Sequence, residues 1–532
     1  MRMMCIAALT WLCSDAIAGP PPLIGDITVT SATDFDDPDD PPNGVCTLRK
    51  AINNGDNHTQ WMGSADCESG GTQETFIRFG NDRHGIPVES VSLNPSFGEL
   101  SVNAKITMVG PVKIKGPKKG KRMRLFHVTA GGDLAWKDVS IEYGSAKGDS
   151  GGGVLSEGIF TMNGGVAQEN EADRGGAFAI YGNATFSGVD ILGNKAFVEG
   201  GGIWASSSAI VEVKNGTLNV NHADGPGAAI CTELGTPSLT VEQSSFIANR
   251  ADTPTGDGGA IKAGGTVTIS DSVVANNVAQ GDRGGGGILF TNGALAIVEG
   301  VEIRENKIET LKTTASGGGI RADGGGTIAI SRTNVVGNEA WAGGGIHAGP
   351  NNIMLVMNST IANNRADIAG YATRDDSGAG AGLYAEGAVG LFGTTVKGNS
   401  GLSQIIARGV NSQVEFGNAV VWTDHGVMNC DGEGKLVLDA PSFQNLDWIG
   451  GTCPVTKLLN KVDEVFEPED TFDAPIAPPS VPLEHTIWIP VAKGPLTGAG
   501  DPTLCSDPTT LRNEDERGLS RSSCDIGAVE AK

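Results

Sequence analysis

Between Gly151 and Asn399 the chain sets short alternating apolar runs between glycine clusters on a steady beat. An apolar anchor follows each glycine phrase at Val154, Phe178, Ile203, Ile230, Ile261, Ile288, Ile320, Ile346 and Leu383, about 29 residues apart. An asparagine closes each unit, at Asn170, Asn194, Asn221, Asn249, Asn277, Asn306, Asn338, Asn364 and Asn399. A fixed period of this size marks a solenoid, in which each unit buries its apolar edge against the next. In the unit that opens with Gly317-Gly318-Gly319, the alternation predicts strands at Ile320-Arg321-Ala322, Thr327 to Ile330 and Asn334-Val335-Val336.

The glycines allow left-handed backbone and close coil-to-coil approach, which a Cβ would block. The asparagines, at one corner of every coil, are expected to adopt left-handed geometry and to hydrogen-bond to their stacked neighbours. They read as structure, not as ligands. With aromatics at only 5%, the interior is expected to hold Ile, Val and Ala.

The flanks differ. Arg2, the apolar run Met3 to Cys13 and Ala16-Ile17-Ala18 form a signal peptide, residues 1–18, cleaved before Gly19. It is too short to anchor in a bilayer, and no later stretch would span one. The mature protein is therefore expected to be secreted, extracellular or on the cell surface. With no sorting tail after Lys532, free release is expected over attachment. Residues 19–85 read as an N-terminal cap, in which Leu48, Ala51 and Ile52 give a short helix one apolar face. Residues 86–423 read as the solenoid and 424–532 as a C-terminal wrap and cap with a Pro-rich segment at 466–484. The interval Lys113 to Arg124 is basic and broken by Gly and Pro, a surface loop by pattern.

Export permits disulfides, and the simplest scheme pairs Cys46 with Cys67, Cys430 with Cys453, and Cys505 with Cys524. Cys231 has no mate and reads as a buried thiol.

Charge narrows the partners. A formal net charge of −24 argues against nucleic acid or an anionic membrane. Asp34, Asp36, Asp37, Asp39 and Asp40 crowd one loop and are candidate Ca²⁺ ligands, although their spacing matches no ligand loop and a solvated turn explains them as well. No other cofactor is indicated.

Two motifs carry a family resemblance. Cys46 to Ile52 resembles the C-S-L-R-E-A motif that opens bacterial surface and secreted β-helix proteins, with Thr47 for Ser and Lys50 for Glu. Asp515-Glu516-Arg517-Gly518 and Cys524-Asp525-Ile526-Gly527-Ala528-Val529-Glu530 resemble the D-x-R-G and C-D-I-G-A-x-E ending of the same class. The repeats between them are similar to the right-handed parallel β-helix of pectate-lyase-like and polymorphic outer-membrane proteins. The resemblance implies an all-β, single-stranded right-handed parallel β-helix with a capping helix and a stapled C-terminal cap. It implies no single function, because such folds host lyases, hydrolases, adhesins and inert scaffolds.

Alternation supplies the candidate site. The residue after each anchor is expected to face outward and the next one inward. The outward column then carries Trp204, Lys262, Arg321, His347 and Tyr384, an aromatic and basic row suited to ring stacking and carboxylate pairing with an acidic polysaccharide. An unselected solvent face is the bland alternative. Enzyme signals are sparse. Arg374, Asp375 and Asp376, in the long insertion between the eighth and ninth repeats, are the catalytic candidates. Val421-Trp422-Thr423-Asp424-His425 resembles a short pectate-lyase string but lies past the regular coils. The sequence thus points to an exported, adhesin-like binding protein with a glycan or cell-surface ligand. A polysaccharide lyase or hydrolase is the alternative, and a passive surface protein the second one.

Overall fold

A computed structural model describes residues 24–34, 44–57, 66–310, 314–366, 380–423 and 428–438, with scattered positions from there to 525. The chain is all-β, with half of its residues in strands and about 12 turns of parallel β-solenoid, and with one helix among the described residues. Among the described residues a 28-stranded sheet and a 13-stranded sheet run along the solenoid, and a 9-stranded sheet lines its middle coils, from Ser145–Ser150 to Arg365–Ala366. We call them the wide, middle and narrow sheets.

A typical coil visits them in order. Ile320–Ala322 lies in the middle sheet, Thr327–Ser331 and Asn334–Val336 in the wide sheet, and Glu339–Ala340 in the narrow sheet. The fourth strand has no sequence signature, since two residues cannot show an alternation. Pairing is parallel and in register, as in Ile320 with Ile346 and Ala322 with Ala348. Parallel pairing also extends beyond 86–423 on both sides. Ile24–Val29 pairs with Glu74–Phe79 ahead of it, and Gln413–Gly417 pairs with Lys435–Leu438 after it.

The asparagines form a continuous buried ladder. In each step, Oδ1 of one Asn accepts from both the backbone N–H and Nδ2 of the Asn one coil earlier; Asn249 donates to Asn277 Oδ1 at 2.9 and 3.0 Å. Each Nδ2 from Asn194 onward also donates to a main-chain carbonyl of the preceding coil, as Asn277 does to Phe246 O at 2.9 Å. The series runs from Asn170 to Asn399 and closes on Gln404 Oε1, 2.7 Å from Asn399 Nδ2. The left-handed residue is not the ladder Asn but the one before it: Glu169, Gly193, Val220, Ala248, Asn276, Glu305, Gly337, Asn363 or Gly398. That residue reverses the chain and lets the Asn side chain point inward. A second ladder of hydroxyls, Ser244 and Ser272, then Thr333 and Ser359, caps main-chain N–H groups of neighbouring coils.

The glycine phrases behave as close packing requires. A Cβ on Gly318 would stand 2.4 Å from Gly344 O, and one on Gly319 2.8 Å from Gly345 O. The first glycine of each phrase is left-handed, as at Gly317 with φ 72°.

The core is less aromatic-poor than composition suggests. Phe126, Trp136, Phe160, Phe178 and Phe186 pack through the early coils, mostly edge to face, with centroids 4.8–5.8 Å apart. The few aromatics are concentrated inside, where Ile and Val take over in later coils.

Both ends are stapled. The helix Leu48–Asn57 starts at Thr47, whose Oγ1 accepts from Lys50 N at 3.2 Å, an N-cap. Lys50 stands where a capping box has Glu and pairs instead with Asp66 at 2.8 Å. Cys46–Cys67, Cys430–Cys453 and Cys505–Cys524 are bonded, and Cys231 is a buried free thiol. The last staple lies against Met357 and Phe392 on the outer face of the wide sheet, so Cys505 and Cys524 cover earlier coils. Lys113 and Lys115 belong to the strand Lys105–Lys115, not to a loop, and both reach Glu142.

Candidate functional site on the middle sheet

Register places the expected column on the outer face of the middle sheet. Trp204 pairs with Cys231, Cys231 with Lys262, Lys262 with Leu289, Leu289 with Arg321, Arg321 with His347 and His347 with Tyr384. Adjacent members are therefore one strand spacing apart, about 4.8 Å.

The column is not an open platform. Trp204 is 2% exposed and His347 4%, so neither presents a ring face to a sugar. Two flanking rows, also set by the repeat, fold over it. One is the residue four before each anchor, Arg174, Glu199, Asp257 and Ser316 among them. The other is the residue three after each anchor, including Glu157, Tyr181, Asp323 and Glu386. The outward reading took in the central row alone; a count at these fixed offsets would have found the other two.

Side chains from the three rows form two polar stations. In the first, Glu199 is the hub. Its Oε1 accepts from Trp204 Nε1 at 3.1 Å and Arg174 Nε at 3.0 Å, and its Oε2 lies 3.4 Å from Cys231 Sγ and 3.9 Å from Lys262 Nζ. The Arg174 guanidinium also sits 5.6 Å from the Trp204 ring, and Tyr181, 42% exposed, meets that ring edge to face at 5.1 Å. Burial pushes the Cys231 thiol well above its ordinary range, so it is held protonated and unreactive.

In the second station Arg321 donates Nε to Asp323 at 3.0 Å, and its Nη1 to Ser316 Oγ and to the carbonyls of Arg283 and Thr314. His347 bonds Ser316 Oγ through Nδ1 and Glu386 Oε2 through Nε2, the latter at 3.0 Å. Tyr384 packs edge to face on His347 at 5.0 Å. Burial, then the nearby Arg321 charge, hold His347 below the ordinary histidine range. Glu386 is held below the usual carboxylate range by the His347 hydrogen bond. Leu289 separates the two stations.

Elsewhere the expected Ca²⁺ loop loses its first ligand. Asp34 is buried and accepts from Arg49 Nε and Nη2 at 3.0 and 2.8 Å and from Asn94 N at 3.2 Å, so its oxygens neutralise a buried guanidinium. Asp36, Asp37, Asp39 and Asp40 lie outside the described residues, as do Arg374, Asp375, Asp376 and the signal peptide. Among the described residues no group of three His, Cys, Asp or Glu is placed to hold a metal ion, and no helix is long and apolar enough to cross a membrane.

No protein-family model matches this chain, and no curated protein or solved structure compared with it does so either.

Proposed function

We propose that this is an exported β-solenoid whose middle-sheet face binds a glycan or cell-surface ligand, in the manner of the C-S-L-R-E-A-type surface proteins that its end motifs resemble. One observation carries the reading: consecutive coils bring Trp204, Lys262, Arg321, His347 and Tyr384 into a single column. The first station supports an acidic sugar most directly. Arg174 and Lys262 share the one carboxylate of Glu199, which leaves an excess of one positive charge on a strongly acidic protein. Tyr181 and Tyr384 take the stacking role that the buried Trp204 and His347 cannot fill.

The test is retention of the purified protein on immobilised polygalacturonate, alginate and a glycosaminoglycan at low and physiological salt. Binding that falls at least tenfold in the Arg174→Ala, Lys262→Ala double variant supports the proposal. Retention unchanged in that variant refutes it. Absence of new ultraviolet-absorbing unsaturated ends and of new reducing ends separates binding from lyase or glycosidase action on the same panel.

A further inference from the structure

The second station holds a nucleophile, a base and an orienting carboxylate in hydrogen-bonded series, drawn from three coils. Ser316 precedes the glycine phrase of one coil, His347 lies in the middle-sheet strand of the next, and Glu386 follows the middle-sheet strand after that. We propose that Ser316, His347 and Glu386 form a relay that hydrolyses small acyl esters, such as O-acetyl groups on a carbohydrate. It shares Arg321, His347 and Tyr384 with the proposed binding column, but its test does not depend on glycan binding.

Hydrogen-bond chemistry fixes the roles. Glu386 has only acceptor oxygens when ionised, so His347 must carry its proton on Nε2 and donate it there. Nδ1 is then a lone pair facing Ser316 Oγ and accepts the hydroxyl proton. The arrangement is the Ser–His–carboxylate logic with the two ring nitrogens exchanged. A neutral imidazole is the form such a base needs, and burial beside Arg321 keeps it neutral at pH 7. Glu386 and Asp323 favour the charged form and partly offset burial and Arg321. Arg321 Nη1 donates to Ser316 Oγ, which places a cation beside the attacking oxygen.

The steps balance as a simple hydrolysis. Ser316 Oγ attacks the ester carbonyl carbon while its proton passes to His347 Nδ1. The C–O bond to the alcohol breaks as His347 returns that proton to the leaving oxygen, which leaves an acyl-serine. Water then attacks the acyl carbon, gives a proton to His347, and Ser316 leaves with that proton as the acid departs. Ser316 is 3% exposed, while Tyr384 and Glu386 beside the relay are partly exposed.

Fluorophosphonate labelling of the full-length protein, located by peptide mass mapping, tests the idea without any variant. A covalent adduct on Ser316 is expected, with a rate that rises with pH through a single ionisation below 6.5, the ordinary histidine value. Glu386→Gln should move that limb to lower pH, because the carboxylate raises the His347 value. Hydrolysis of p-nitrophenyl acetate should drop at least about 100-fold in Ser316→Ala and His347→Gln, the usual share of a general base. No adduct on Ser316 in the native chain overturns the proposal. So does an adduct whose rate is flat with pH, or one unaffected by His347→Gln when circular dichroism shows the sheets intact.

Discussion

Replacing Asn277 by Ala cuts the buried ladder near its middle, and the loss can be worked out atom by atom. The side chain accepts from Asn249 N and Nδ2, and donates to Phe246 O and Asn306 Oδ1. Asn306 Oδ1 keeps its bond from Asn277 N at 3.1 Å, and Asn249 Nδ2 keeps Leu218 O at 2.8 Å. One group is therefore orphaned, the Asn249 N–H, at a site with no exposure to supply water, while Phe246 keeps its place in the sheet beside Val273–Ala275. At about 1–3 kcal/mol for a buried group left unpaired, the local penalty is about 2 kcal/mol. A solenoid opens locally, not all at once, so the cost should appear in neighbouring coils first. Native-state amide exchange is the suitable assay. Protection of residues 246–249 and 277–279 should fall by roughly 30-fold, since each 1.4 kcal/mol is a factor of ten. Asn183→Ala, on an exposed strand position, serves as the control and should stay within about threefold. If Asn277→Ala matches that control, the ladder is ornament and the reasoning about orphaned groups fails.

Gly318→Ala should destabilise by about 3 kcal/mol or more, because its Cβ meets the Gly344 and Glu339 backbones at 2.4–2.7 Å. Gly188→Ala, with open space around it and φ 61°, should cost only the left-handed penalty of about 1–2 kcal/mol; midpoints of chemical unfolding compare the two. Removing Cys46–Cys67, a bridge across 21 residues, should release the N-terminal cap at a cost of about 3 kcal/mol, seen as new protease cleavage near the helix with later coils intact. Acidification should loosen the second station. His347 and Glu386 are both held below their unfolded values near 6.5 and 4.5, so the stability each contributes is complete above those values and is lost as pH falls through the folded ones. The gap in thermal midpoint between the parent and His347→Gln should therefore narrow from pH 7 to pH 4, and a gap constant with pH would contradict this.

Much of the architecture is legible in the sequence because the repeat over-determines it. Nine glycine phrases and nine asparagines fix the register, and register alone predicts which residues stack beside which. The hydrogen bonding of the asparagines also follows from their spacing. Their backbone geometry does not, since Glu169, Val220 and Ala248 are residues that no propensity would assign to a left-handed turn. The candidate site is half legible for a related reason. Alternation tells inside from outside within a strand but is silent about what lies over the outside. Trp204 and His347 point away from the core as expected, yet Glu199 and Ser316 from the preceding turns close over them. Asp34 shows the same limit: its charge was visible, but its buried partner Arg49 lies 15 residues further along.

Coil length varies at one corner of the solenoid far more than elsewhere. From Asn338 to the anchor Ile346 is 8 residues, whereas from Asn364 to the anchor Leu383 is 19. The opposite path is nearly constant, 16 residues from Phe178 to Asn194 and 19 from Ile230 to Asn249. The extra residues all enter just before the glycine phrase, beside the row that holds Arg174, Glu199 and Ser316. The solenoid thus separates inheritance from invention. Three faces repeat a fixed frame, while one edge accepts insertions that no neighbouring coil must answer. A lineage could exchange those insertions while the frame that folds the protein stayed as it is.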